Sequence, residues 1–154
     1  MKKYLVAEYM NPNVVTIARG AMIAEAFRIM IEKKTNGLVV LSPDEKVAGI
    51  LSSRDLISYV IPDYLEDDRH LASFESDDVL IKRVKRVGGD DIEKCMTAKV
   101  YTIKSDRSLM EAATLLSQYK IRQLPVTDDA GNLKGYINRT DIKRAIGDIL
   151  GIPS

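Results

Sequence analysis

Gly49-Ile50-Leu51-Ser52-Ser53-Arg54-Asp55 returns 86 positions later as Gly135-Tyr136-Ile137-Asn138-Arg139-Thr140-Asp141. Each version runs from an apolar stretch through a Ser or Asn to an aspartate three residues on, the pattern of a strand that ends as a helix begins. Ser52 and Asn138 are good N-caps. Asp55 and Asp141 fall at the third helical position, where a carboxylate suits the helix dipole. Extended outward, the same shift lays Val6–Val60 on Ile92–Ile146 without a gap. Eleven of the 55 paired positions are identical, among them Met10/Met96, Thr16/Thr102, Glu25/Glu111, Ala26/Ala112 and Gly49/Gly135, and about a third of the others exchange one apolar residue for another. Two copies are too few for a solenoid, which needs about three or more units to bury a continuous core. They are expected instead to pair face to face, with pseudo-twofold symmetry and equivalent clefts at the join.

Within each copy the order of elements is the same. Val14–Ile17 and Val100–Ile103 are short β-prone runs. Ile23, Ala26, Phe27 and Met30, and likewise Leu109, Ala112, Ala113 and Leu116, recur at i, i+3, i+4 and i+7, one apolar face against a sheet. Ser108 and Glu111 have capping-box spacing. Leu38–Leu41 and Val47–Leu51 flank a Ser-Pro-Asp-Glu turn. Leu124–Thr127 and Leu133–Ile137 flank Asp128-Asp129-Ala130-Gly131-Asn132, so both pairs read as hairpins. A last helix covers Asp55–Ile61 or Asp141–Leu150. The fold class is therefore α+β, an α/β sandwich of two β-α-β-β-α units. Three short strands with helices on one face leave too small a core to stand alone, so the units are expected to pack sheet to sheet.

The chain divides into repeat 1 (6–60), a linker (61–91), repeat 2 (92–146) and a C-terminal tail (147–154). The linker opens acidic, with Asp63, Glu66, Asp67 and Asp68, turns basic at Lys82, Arg83, Lys85 and Arg86, and closes on Gly88-Gly89, which reads as a hinge. Leu65, Leu71, Phe74, Val79, Leu80 and Ile81 are too many apolar residues for a disordered segment, and partial helix is expected.

Composition narrows the function. The 154 residues are 45% hydrophobic and 29% charged with a net charge of +1, so no bulk field favours nucleic acid, membrane or an acidic partner. No apolar stretch approaches the roughly 20 residues of a membrane helix. Met1-Lys2-Lys3-Tyr4-Leu5-Val6-Ala7-Glu8 begins like a signal peptide, but Glu8 interrupts the apolar region and no cleavage site follows. Cys95 is the only cysteine, which excludes an internal disulfide and a cysteine-based zinc site. The expectation is a cytoplasmic protein.

The strand-to-helix junctions carry the chemistry. One reading is purely structural, since caps and N3 carboxylates occur in proteins that bind nothing. The other uses the same geometry: free N–H groups at a helix start hold an anion, a hydroxyl beside them donates to phosphate, and a carboxylate one turn in accepts from the vicinal hydroxyls of a ribose. Repetition of the junction on a duplicated chain favours the second.

The order of motifs resembles the CBS domain, and the whole chain resembles a CBS pair, or Bateman module. The motifs are Met10, Val14-Val15-Thr16-Ile17, Glu25-Ala26, Leu38-Val39-Val40 and Gly49 to Asp55. Their counterparts are Met96, Val100-Tyr101-Thr102-Ile103, Glu111-Ala112, Leu124-Pro125-Val126 and Gly135 to Asp141. The resemblance implies a sensor of AMP, ADP, ATP or S-adenosylmethionine with no catalytic residue, no metal and no catalytic cofactor. It implies two unequal sites. The main one joins Ser52, Asp55 and Ile50 with Lys99, Tyr101, Ile121, Arg122, Leu124 and Pro125. The weaker one joins Asn138, Arg139 and Asp141 with Asn13, Val15, Thr35 and Asn36, and departs from the family pattern at Asn138 and at Val39. The implied partners are a second copy in a homodimer and a regulated protein.

Rival readings have less behind them. His70, the only histidine, lies in the linker, and Cys95 reads as a buried inert thiol. Nucleic-acid binding would rest on Lys82-Arg83-Val84-Lys85-Arg86 alone, a run more typical of a solvated helix face or an intersubunit contact. A structural dimerisation module with inactive sites remains the alternative that binds nothing small.

Overall fold

The identities shared by the two copies become equivalent elements in the computed structural model, which describes residues 2–153. Met1, Ser154 and the side chains of Glu66 and Arg69 lie outside the described residues. The first copy contributes α1 (Val6–Tyr9), β1 (Thr16–Ala18), α2 (Ile23–Lys33), β2 (Gly37–Leu41), β3 (Val47–Ser52) and α3 (Ser53–Val60). The linker holds α4 (Asp63–Asp67), α5 (Arg69–Ala72) and α6 (Asp77–Val87). The second copy follows a 3-10 turn at Ile92–Lys94 with β4 (Ile103–Lys104), α7 (Leu109–Gln118), β5 (Gln123–Thr127), β6 (Leu133–Asn138) and α8 (Arg139–Ile149). The expected β-α-β-β-α order holds in both copies.

Two compact units result. One gathers Val15–Pro43 and Ala48–Lys99; the other gathers residues 2–14, Asp44–Val47 and 100–153. The first contains a sheet of order β1-β2-β3, in which β1 and β2 run parallel with Ile17 opposite Val40. Its core is built from Ile17, Ile23, Ala26, Met30, Leu38, Leu51 and Leu56, and Ile92 joins it. The second contains β4-β5-β6, with Ile103 opposite Val126 in parallel and Leu124 opposite Ile137 in antiparallel register. Its core gathers Ile103, Leu109, Leu116, Leu124, Val126 and Ile137, together with Val6 and Tyr9.

The opening segment of each copy is thus built into the body of the other. Val6 N–H donates to the Arg107 carbonyl at 2.9 Å, and its counterpart Ile92 N–H donates to Ala21 at 2.9 Å. Asn11 exchanges backbone hydrogen bonds with Tyr136 at 2.8 and 2.9 Å, and Thr97 does the same with Ile50 at 2.9 Å in both directions. Bridges Leu5–Ser108 and Met22–Asp91 are related by the same shift with the partners exchanged. The exchange is reciprocal residue by residue.

The short opening strands differ for a covalent reason. In the first copy Val39 N–H donates to the Val15 carbonyl at 3.1 Å, which extends the pairing one step beyond β1. The residue equivalent to Val39 is Pro125, which has no N–H to donate. Pairing of β4 accordingly begins only at Ile103, later than the expected run from Val100. Both α2 and α7 are followed by a lysine in the left-handed region, Lys34 and Lys120, each with φ of 53°.

The linker is more helical than expected, and Gly88-Gly89 is anchored where a free hinge was expected. Gly88 N–H donates to the Val84 carbonyl at 3.0 Å, and the Gly88 carbonyl accepts from Ala24 at 2.9 Å, tying the end of α6 to the start of α2. The tail is not wholly separate either. Helix α8 runs through Ile149, Gly151 takes a φ of 71°, and Ile152 N–H closes back on the Gly147 carbonyl at 2.9 Å.

Candidate functional site

Both junctions form complete capping boxes. Asp55 N–H donates to Ser52 Oγ at 3.0 Å while Ser52 N–H donates to Asp55 Oδ2 at 3.0 Å. In the second copy Asp141 N–H donates to Asn138 Oδ1 at 3.1 Å, and Asn138 N–H donates to Asp141 Oδ2 at 2.9 Å. The boxes use one acceptor of each capping side chain and one oxygen of each carboxylate. The Ser52 hydroxyl can still donate its proton, the Asn138 amide its two, and each aspartate keeps a second oxygen with which to accept. Structure and ligand chemistry therefore do not compete for the same atoms.

The two aspartates differ in their surroundings. Asp141 is only 8% exposed, and burial pushes its carboxyl above the usual aspartate range against the opposing pull of the Asn138 N–H and of Arg144. Arg144 lies 3.8 Å from Asp141 Oδ1 and also donates to the Tyr9 carbonyl at 2.9 Å. Asp55 is half-buried and has no such cation beside it among the described ion pairs.

The residues named from sequence distribute over the units as follows. Ile50, Ser52, Asp55 and Lys99 fall in the first unit, together with Val15, Thr35 and Asn36. Asn36 stands at the foot of the Ser52 junction: its carbonyl accepts from Ser53 N–H at 2.9 Å, and its Oδ1 lies 3.4 Å from Ser53 Oγ. Asn138, Arg139 and Asp141 fall in the second unit with Asn13, Tyr101, Ile121, Arg122, Leu124 and Pro125. Asn13 N–H is held by Asn11 Oδ1 at 2.8 Å. Leu124 is a core residue, and Pro125 is fully buried. Ile121 and Arg139 line a cavity of about 600 Å³ between α7 and α8, with Leu116, Lys120, Lys143 and Ile146.

One aromatic partner escaped the sequence reading. Tyr119, at the end of α7, stacks on Tyr101 with ring centroids 3.9 Å apart and planes 14° from parallel. One face of the Tyr101 ring is therefore already covered. Only the helical phase of α7 could have signalled this, by placing its terminal residue back over the opening strand.

The rival sites are accounted for. Cys95 donates toward the Ile92 carbonyl at 3.6 Å, and burial together with the field of Asp55 pushes its thiol up to about 11, so it stays protonated near neutral pH. His70 meets Phe74 edge-on in the linker. Within the basic run, Arg83 is turned inward. It donates from Nε to the Val60 carbonyl at 3.0 Å and from Nη2 to the Tyr59 carbonyl at 3.1 Å, capping α3. Among the described residues no cluster of His, Cys, Asp or Glu is placed to hold a metal ion, and no helix is long and apolar enough to cross a membrane.

This duplicated fold with paired strand-to-helix junctions is that of a CBS pair, and the chain belongs to the CBS domain family, whose model matches residues 6–62 and 90–148. It is 27% identical over 150 residues to the chloroplastic CBS domain-containing protein CBSX2 of Arabidopsis thaliana, covering 92% of this chain and 63% of that protein. The crystal structure of CBSX2 in complex with AMP superposes with a TM-score of 0.72 at 26% identity over 96% of this chain and 98% of that one. The CBS domain pair of protein MJ0100, in complex with 5-methylthioadenosine and S-adenosyl-L-methionine, gives a TM-score of 0.69 at 25% identity over 96% and 99% of the two chains. A homoserine O-acetyltransferase of Methanosphaerula palustris is 29% identical over 143 residues, 93% of this chain but 24% of the enzyme. The chain thus spans from about a quarter to under two thirds of these curated relatives.

Proposed function

We propose that this chain is a non-catalytic sensor that binds an adenine nucleotide (AMP, ADP or ATP) or S-adenosylmethionine and relays the ligand's presence to a partner protein, as a homodimer. The observation that carries the reading is the repeated capping box whose hydroxyl and second carboxylate oxygen remain able to bond a ribose and a phosphate. The AMP bound to CBSX2 and the adenosine derivatives bound to MJ0100 support it. The main site is assigned to Ser52, Asp55, Ile50, Lys99, Tyr101, Ile121, Arg122, Leu124 and Pro125. Asp55 accepts from the ribose hydroxyls and Ser52 donates to phosphate. Tyr101 is assigned to contact with adenine, and Leu124 and Pro125 act through their backbone. The weaker site is assigned to Asn138, Arg139 and Asp141 with Asn13, Val15, Thr35 and Asn36. Burial of Asp141 and its neighbour Arg144 support that ranking. Relay then follows from differential binding, because a ligand shifts an equilibrium only by the difference in its affinity for the two states.

A thermal-shift panel of AMP, ADP, ATP and S-adenosylmethionine, with GMP as control, tests the reading. Ligand at about 100 times its dissociation constant adds roughly 2.7 kcal/mol, which for a chain of this size raises the midpoint by on the order of 5–10 °C. At least one adenine compound is expected to do so while GMP does not. If none shifts the protein, the structural dimerisation reading takes its place.

A further inference from the structure

The two copies diverge along the groove between their paired helices. In the second copy Lys120, Arg139 and Lys143 line the cavity of about 600 Å³ between α7 and α8, and no carboxylate lines it. At the equivalent positions 86 residues earlier stand Lys34, Ser53 and Ile57, so two of the three cations belong to this copy alone. Ala113 likewise stands where the first copy has Phe27, and a methyl leaves open what a ring would fill. These exchanges are not needed for the fold, which the first copy builds without them. None of the three cations has an ion pair among the described residues.

The groove lies within one compact unit, and its two ends differ. Gln123, just past α7, pairs with Asn138, just before α8, so the end of one helix and the start of the other share one end of the sheet. Lys120 and Arg139 stand at that end, and Lys143 follows one turn on. Leu116, Ile142 and Ile146 continue the groove as an apolar wall. From Arg139 to Ile146 the axis of α8 rises about 10 Å.

Cations gathered at one end with an apolar wall beyond them match an anionic head joined to an apolar tail. No aromatic ring lines the groove, so a nucleobase has nothing to stack on, and the capping residues Asn138 and Asp141 do not line it. We propose that the α7–α8 groove is a separate binding site for a single-chain amphipathic anion. A phosphate or carboxylate head meets Lys120, Arg139 and Lys143, and an alkyl tail lies along Leu116, Ile142 and Ile146. The tail leaves water and the head makes charge-assisted hydrogen bonds. Of the lining residues only Ile121 and Arg139 also belong to the nucleotide assignment, and this site does not depend on that assignment.

Calorimetric titration of octyl phosphate and octanoate below their micelle concentrations tests it, with inorganic phosphate and octanol as the head and the tail alone. Octyl phosphate is expected to bind wild type at least roughly tenfold more tightly than either control, the worth of one charge-assisted hydrogen bond or more. Octanoate should fall between. Lys120→Glu with Lys143→Glu should weaken octyl phosphate at least about tenfold; both lysines are exposed, so the fold is not at stake. Ala113→Phe, which leaves every charge in place, should weaken it as well. Isoleucine methyl resonances locate the ligand independently, with Ile142 and Ile146 expected to move. Octanol or inorganic phosphate binding as tightly as octyl phosphate, no binding at all, or a lysine double variant that binds like wild type would each overturn the proposal. So would wild type that adheres to anionic vesicles but does not bind octyl phosphate, which would make the groove a membrane contact.

Discussion

Truncating Ile92 to alanine is expected to lower the unfolding free energy by about 3–4 kcal/mol, within the range for buried Ile→Ala changes. The residue opens the second copy, yet its side chain is fully buried among Ile17, Ile23, Leu38, Leu51 and Leu56 of the first. Its N–H is also held by Ala21, so the backbone cannot collapse to fill the cavity without losing that bond. Urea unfolding checks the value, with Ile149→Ala as a reference, since Ile149 is 61% exposed and its truncation should stay within roughly 0.5 kcal/mol of wild type. A loss under about 1 kcal/mol at Ile92 would mean that the opening segment is not part of that core.

A second large effect is expected at Gly135. A Cβ there would stand 2.6 Å from the Asn11 carbonyl oxygen and 3.4 Å from Met10 Sδ. Asn11 is pinned by its two hydrogen bonds to Tyr136, so its carbonyl cannot retreat without breaking the exchange of opening segments. Gly135→Ala should therefore cost about 2–3 kcal/mol, as overpacking does, and lower the melting midpoint by roughly 2–4 °C per kcal/mol. At the equivalent Gly49 the nearest atoms are Met96 Sδ and the Thr97 carbonyl oxygen, both at 3.0 Å, and the thioether can swing aside. Gly49→Ala should cost less than Gly135→Ala. Strain-free replacement of glycine by alanine stabilises by about 0.4–1 kcal/mol through the unfolded chain, so a neutral or stabilising Gly135→Ala would contradict the packing described.

What could be read from the chain before its coordinates follows from these two positions. The 86-residue shift identifies Gly49 and Gly135 as equivalent, and local patterning places each strand, helix and cap around them, because caps and helical faces depend on near neighbours. Which copy a buried residue packs against is different in kind. Val6 and Ile92 look apolar and buried in either arrangement, and only long-range pairing decides that each enters the other copy's core. Pro125 carried a readable signal that β4 must start late, since the missing N–H is a matter of covalent structure. The Tyr101–Tyr119 stack carried none in the spacing alone. At the junctions Ser52, Asp55, Asn138 and Asp141 were legible as caps, but the burial that separates Asp141 from Asp55 is a matter of tertiary packing, as is the hold that the distant Tyr9 carbonyl has on Arg144 beside Asp141.

Of the two junctions, the one at Ser52 and Asp55 is proposed to do the binding. Calorimetric titration of AMP and of S-adenosylmethionine into wild type, Asp55→Ala and Asp141→Ala tests it, because each substitution removes the N3 carboxylate of its own capping box. Loss of a hydrogen-bonding carboxylate is worth roughly 1.5–3 kcal/mol, or about 10- to 150-fold in affinity. That loss is expected in Asp55→Ala, with Asp141→Ala binding almost as wild type does. Unchanged binding in Asp55→Ala together with its loss in Asp141→Ala would contradict it.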